Sequence, residues 1–136
     1  MPLRIRRVVT DHDEQGRAIV ASDEVRSNVV SGRPGHQRCD LWSGADGTIF
    51  RLVEYQPGVA PRNHRTETID YAVVLSGEIE MELEGSVVRL RAGDVLVQQG
   101  TIHNWVNRGT RACVIAFVLV AAQPVERGGK RLHAVG

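Results

Sequence analysis

Two histidines, one acid and one arginine stand out in this chain of 136 residues. His64 and Asp70 lie in Gly58 to Gly77, read GVAPRNHRTETIDYAVVLSG. His103 lies in Gly93 to Asn107, read GDVLVQQGTIHNWVN. Two imidazoles and a carboxylate can hold a divalent transition ion with open positions, the composition used by non-haem iron sites; zinc, manganese and nickel also suit it. The same groups can work without a metal. A histidine titrates near neutrality, so either ring can act as general acid or base with Asp70 as its orienting partner. His64, Asp70 and His103 are thus the candidate catalytic residues, and the same three are the candidate metal ligands.

Strand alternation says what else faces them. If His64 points inward, so do Arg62 and Thr66. If His103 points inward, so do Trp105 and Asn107, and an inward Asp70 brings Ala72, Val74 and Ser76 with it. Arg62, Thr66, Trp105 and Asn107 are the candidate substrate-binding residues. A guanidinium aimed into a protein interior needs an anion. For Arg62 that is either Asp70 or a substrate carboxylate or enolate oxygen, which arginine binds bidentately. Glu67 is pointed away by alternation. His12, His36 and His133 sit in polar stretches and read as surface residues. Trp42 is compatible with core, pocket rim or subunit contact.

The elements that must position these groups are strands. Ile79, Met81 and Leu83 alternate with Glu78, Glu80, Glu82 and Glu84, period two with one dry and one acidic face. Gly85-Ser86 turns the chain, and Val87 to Arg91 returns with Arg89 and Arg91 across from the glutamates. Further strands are expected at Arg4 to Val9, Ala18 to Ser22, Cys39 to Trp42, Ile49 to Tyr55, Val95 to Gln98, His103 to Asn107 and Cys113 to Ala122. Ser27 to Gln37 reads as loop. No stretch carries capped helical periodicity, so an all-β sandwich or barrel is expected. Val74, Ile79, Met81, Leu83, Val88, Leu90, Val95, Ile115 and Phe117 are the expected core.

The two stretches resemble the paired motifs of the cupin superfamily. In the first, Gly58, His64, Asp70 and Gly77 fall at the family's spacings, with Thr66 where a second histidine is usual and Asp70 in place of glutamate. In the second, Gly93, Gly100, His103 and Asn107 fit, with Gln98 in place of proline and one residue fewer before it. The resemblance implies a jelly-roll β-barrel of the RmlC-like kind. It implies a barrel core of about 37–122 and N-terminal strands at 4–22 in a homodimer interface; the length itself reads as one domain over 1–136, and the basic, Gly-bearing stretch 126–136 as a loose tail or partner contact. Members with the full motif bind metal through three histidines and a glutamate, and relatives include dioxygenases, decarboxylases, isomerases and cyclases.

Composition narrows the partners. A net charge of +1 gives no general attraction to nucleic acid or anionic membranes. No apolar run reaches the ~18–20 residues that span a bilayer. The first nine residues hold arginines but no apolar segment of the kind a secretory signal carries, so a cytoplasmic location is expected. Cys39 and Cys113 fit no C-x-x-C pattern and read as reduced structural thiols. Three functions stay open: a metal-dependent enzyme, a metal-free acid–base enzyme, and a non-catalytic barrel for a small ligand.

Overall fold

β-Branched and aliphatic residues separated by Gly-bearing turns give this chain strands and turns throughout. The computed structural model describes residues 3–27 and 29–136; Met1, Pro2 and Asn28, the last within the expected Ser27 to Gln37 loop, lie outside the described residues. Among these the strands run β1 (Ile5–His12), β2 (Ala18–Arg26), β3 (Val29–Ser31), β4 (His36–Ser43), β5 (Thr48–Tyr55), β6 (Thr68–Ser76), β7 (Glu78–Glu82), β8 (Val87–Arg91), β9 (Val95–Gln99), β10 (Asn104–Val106), β11 (Cys113–Ala121), β12 (Val125–Arg127) and β13 (Lys130–Leu132), with no helix. The expected loop therefore contains β3 and the start of β4.

A six-stranded sheet in the order β3-β4-β5-β11-β6-β9 faces a three-stranded sheet in the order β10-β7-β8, all neighbours antiparallel. Between them lies the barrel core. Val53, Tyr55, Ala72, Val74, Ile115 and Phe117 come from the large sheet, and Ile79, Met81, Leu90 and Trp105 from the small one. This is the jelly roll that the resemblance implied, within the all-β sandwich or barrel that the strand pattern pointed to. A second cluster of Leu3, Cys39, Leu41 and Leu52 packs the N-terminal segment onto the outer face of β4 and β5. Cys39 and Cys113 are both buried, one in each cluster, and neither forms a disulfide.

The turn after β6 shows why its glycine matters. Gly77 has φ of 78°, and a Cβ there would lie 2.5 Å from the Ala112 carbonyl oxygen. Any other residue is excluded both by backbone conformation and by contact with the start of β11.

Two core expectations are corrected. Val95 is 71% exposed and Val88 38% exposed. In β9 the inward residues are Leu96 and Gln98, since Val95, Leu96 and Val97 are apolar in succession and give no phase. β8 is the edge of the small sheet, which leaves Val88 half covered. Leu83 is partly buried against the core. The glutamate face is as expected: Glu80 lies opposite Arg89 and Glu78 opposite Arg91. The ion pair on Glu80, however, comes from Arg108 at 3.1 Å. The tail is also more ordered than expected. β12 and β13 form a hairpin, and Val135 bridges to Arg65.

Candidate functional site

His64 and His103 are brought together by backbone hydrogen bonds. The amide of each donates to the carbonyl of the other at 3.0 Å, making an isolated antiparallel bridge. Facing residues in such a bridge carry their side chains on the same side. The two rings accordingly lie 4.3 Å apart, centroid to centroid, tilted by 54°. Trp105 stands edge-on to His103 at 6.0 Å and forms the floor with Phe117 and Tyr55.

The tautomer of both rings follows from their partners. Nδ1 of His64 lies 3.2 Å from the Arg62 carbonyl, and Nδ1 of His103 lies 2.9 Å from the Thr101 carbonyl. A carbonyl can only accept, so each Nδ1 donates a proton and each Nε2 keeps its lone pair. Burial, the other imidazole and the nearby arginines push His64 down to about 4. Burial lowers His103 as well, partly offset by its bond to Thr101. Both are neutral bases at pH 7.

The cavity they line has a volume of about 180 Å³, room for about six water molecules or one small organic molecule. Of the residues singled out from sequence, His64, His103, Asp70, Arg62, Thr66 and Trp105 all line it. Asn107 does not. It is buried at the far end of β10, where its amide donates to the carbonyls of Tyr55 (2.9 Å) and Arg111 (2.8 Å) and its oxygen accepts from the Gly109 amide at 2.9 Å. That is a structural tie: Asn107 is buried on the same side as His103 and Trp105, as alternation expects, but it lies further along the chain, outside the cavity lining.

Asp70 is also placed differently from the expectation. It is 5% exposed and accepts a hydrogen bond from Thr68 Oγ1 at 2.6 Å, which in turn contacts Thr66 Oγ1 at 2.7 Å. Burial pushes its carboxyl up, while Thr68, His64 and Arg51 pull it back. It orients neither imidazole; the backbone carbonyls do that. Among the described residues no three His, Cys, Asp or Glu side chains are grouped so as to hold a metal ion. The expected set of His64, Asp70 and His103 is therefore not preassembled. Asp70 is bonded to Thr68 and makes no hydrogen bond to either imidazole. What the donor chemistry does provide is two imidazole nitrogens.

Arg62 is not paired with Asp70. Its Nε and Nη2 donate to the Gly136 main-chain oxygen at 3.0 and 2.8 Å, and its own amide donates to Asn104 Oδ1 at 2.8 Å. Three cavity groups were missed. His36 is half-buried and stands edge-on to Tyr55 at 5.4 Å, correcting its reading as a surface residue. Arg33 and Arg51 line the same wall. Arg51, Val53 and Tyr55 alternate along β5, a legible signal. His36 is carried inward by lying directly opposite Tyr55 in the β4–β5 register, which no local pattern reveals.

Residues 51–120 match the Cupin_2 family, the cupin domain. The chain is 34% identical to the phomopsin biosynthesis cluster protein C' of Diaporthe leptostromiformis, over 95% of this chain and 85% of that protein. It is 28% identical to the cupin-domain-containing oxidoreductase fogC of Aspergillus ruber, over 96% of this chain and 79% of that one. The solved structure of the polyketide cyclase RemF of Streptomyces resistomycificus is similar in fold, with a TM-score of 0.60 at 19% identity over 80% of each chain. The chain belongs to the cupin family, with an RmlC-like jelly roll.

Proposed function

We propose that this cupin is an enzyme that moves a proton next to a carbonyl of a small, oxygenated, anionic substrate. The observation that carries this is the imidazole pair: two neutral rings side by side at one cavity, each with Nδ1 tied to a backbone carbonyl and Nε2 as a lone-pair base. One Nε2 takes the proton from the carbon beside the carbonyl. The electron pair moves onto the carbonyl oxygen, and the imidazolium returns the proton at a second site. Tyr55 is placed to help. Burial raises its phenol, so it stays protonated and can donate to the developing oxyanion. The arginine-lined wall favours the same charge. Isomerisation and cyclisation share this step; decarboxylation reaches an enolate by loss of CO2 and shares only the return of a proton to carbon.

A second reading has its own support. A backbone carbonyl on Nδ1 is also the arrangement that fixes a metal-binding histidine. A divalent ion, iron, zinc, manganese or nickel, would then be held by His64 and His103 without Asp70. Such an ion would polarise a substrate oxygen, and a redox-active one would give the oxidoreductase chemistry that the name of the Aspergillus ruber relative denotes. The experiment that separates the readings follows loss of carbon-bound protons from a panel of small 2-oxo and 3-oxo acids in D2O by NMR, before and after removal of metal with a chelator. Exchange that survives chelation supports the imidazole reading; exchange restored only by added metal supports the second.

We further propose a homodimer, in the cytoplasm, where two buried thiols stay reduced. Trp42, Phe50, Val118, Tyr71 and Val97 lie opposite one another in one row across the outer face of the large sheet. Trp42, Phe50, Tyr71 and Val97 are each about half exposed, a contiguous apolar band of the kind that pairing covers. β1 and β2 pair with each other and leave an edge for a partner's strand. Light scattering should give twice 15.0 kDa, and Tyr71→Arg should shift the mass to that of a monomer. A monomeric wild-type protein at micromolar concentration would refute the dimer. Among the described residues no helix is long and apolar enough to cross a membrane.

A further inference from the structure

We propose that the anionic end of the ligand seats between Arg33, His36 and Arg51, at the β4–β5 wall of the cavity, and that the ligand is a small planar carboxylate. This deepens the proposed function and rests on its reading of the cavity as the substrate site.

The segment before β4 builds this wall rigidly. The His36 amide donates to the Arg33 carbonyl at 3.1 Å, the Gln56 amide to the Gly35 carbonyl at 2.8 Å, and the Ala60 amide to the Pro34 carbonyl at 3.0 Å. Gly35 has φ of 80° and sits so close to Val59 that a Cβ would lie 2.9 Å from its Cα. The segment is thus clamped onto the loop that leads to His64. Arg33 is anchored by one bond, Nε to the Ala60 carbonyl at 2.9 Å. Among the described residues no carboxylate lies within ion-pairing distance of it.

His36 carries the second observation. Its Nδ1 is buried and has no hydrogen-bond partner among the described residues. That atom has no surface open to the cavity, so a ligand meets the ring at its other edge, which lines the cavity beside Arg33 and Arg51. The charges that face it are mostly positive: Arg33 on the loop, Arg38 on its own strand, Arg51 on β5 and Arg62 across the opening, all of which oppose protonation. The acids nearby are Asp40, which pairs with Arg51 at 2.6 Å, and Asp70, which is bonded to Thr68. A guanidinium without a carboxylate, beside an imidazole that lines the same cavity wall, is a site for a planar anion. Arg62, the arginine that the sequence put forward, is exposed and already donates twice to the Gly136 oxygen.

The test uses pyruvate as probe and neutral pyruvamide as its control, with binding followed by NMR shifts of the histidine rings. Wild-type protein should bind pyruvate saturably and pyruvamide at least about tenfold more weakly. Arg33→Met and His36→Leu should each weaken pyruvate about tenfold or more, with Arg33→Lys recovering part of the loss. Arg62→Met should change it by less than about twofold. Thermal melting and native mass confirm that each variant is folded, and the Arg33→Lys and His36→Leu proteins keep the test valid if Arg33→Met is not. His64→Gln should still bind pyruvate, so failure of the proton-transfer reading leaves this result standing. Equal binding of pyruvate and pyruvamide, or a greater loss in Arg62→Met than in Arg33→Met, would overturn the assignment. So would absence of saturable binding of pyruvate, acetate and benzoate up to about 50 mM.

Discussion

Asn107→Ala is expected to lower stability by about 3–4 kcal/mol, with a fall in melting temperature of roughly 10 °C for a domain of this size. Three hydrogen bonds meet at this side chain, and it is only 3% exposed. Its removal strands two carbonyls and one amide where water cannot readily replace it. A domain has only about 5–15 kcal/mol to lose. Asn107→Asp is the sharper variant. It keeps the shape and the oxygen that accepts from Gly109, but turns the amide donor into a carboxylate oxygen facing the carbonyls of Tyr55 and Arg111. It should therefore destabilise at least as much as alanine. Both effects are read by thermal or urea unfolding. If instead Asn107→Ala melted like wild type and lost only ligand affinity, the residue would belong to the pocket after all.

His64→Gln and His103→Gln are each expected to slow carbon-proton exchange by about 10²–10⁴-fold, the usual contribution of a positioned general base. The double variant should be little worse than the more damaging single one, because the rings act as one unit. Glutamine keeps a polar side chain of similar reach, so the bridge between the two backbones should survive. His12→Gln, on an exposed strand end far from the cavity, should leave the rate unchanged. Equal rates in wild type and both single variants would remove the imidazole pair from the chemistry.

The parts of this protein that could be read from sequence are those with a local pattern. Ile79 and Met81 against the glutamates gave a strand and its inner face, and the spacing of Gly58, His64 and Gly77 with His103 located the imidazole pair. The parts that could not be read depend on register or reach. His36 sits in a polar stretch and enters the cavity because it pairs opposite Tyr55, a fact about two strands rather than one. Asp70 faces the correct side, as alternation required, yet alternation says nothing of how far a carboxylate extends or that Thr68 holds it. Arg62 satisfied the same rule and was then taken up by Gly136, 74 residues away along the chain. In β9, three successive apolar residues offered no phase, and Val95 fell on the solvent side.

The protonation state of the cavity histidines, read by nitrogen-15 NMR of labelled imidazoles across pH 4 to 8, decides whether a pair of lone-pair bases faces the cavity. His64 and His103 should carry their proton on Nδ1 and a lone pair on Nε2 at pH 7. Both should stay neutral below the ordinary histidine range, His64 until the pH approaches about 4. The sign follows from their surroundings, since burial penalises the charged form of a base and lowers its pKa. A proton on Nε2 in either ring, or an imidazolium at pH 7, would contradict the imidazole reading, for then no pair of lone-pair bases would face the cavity.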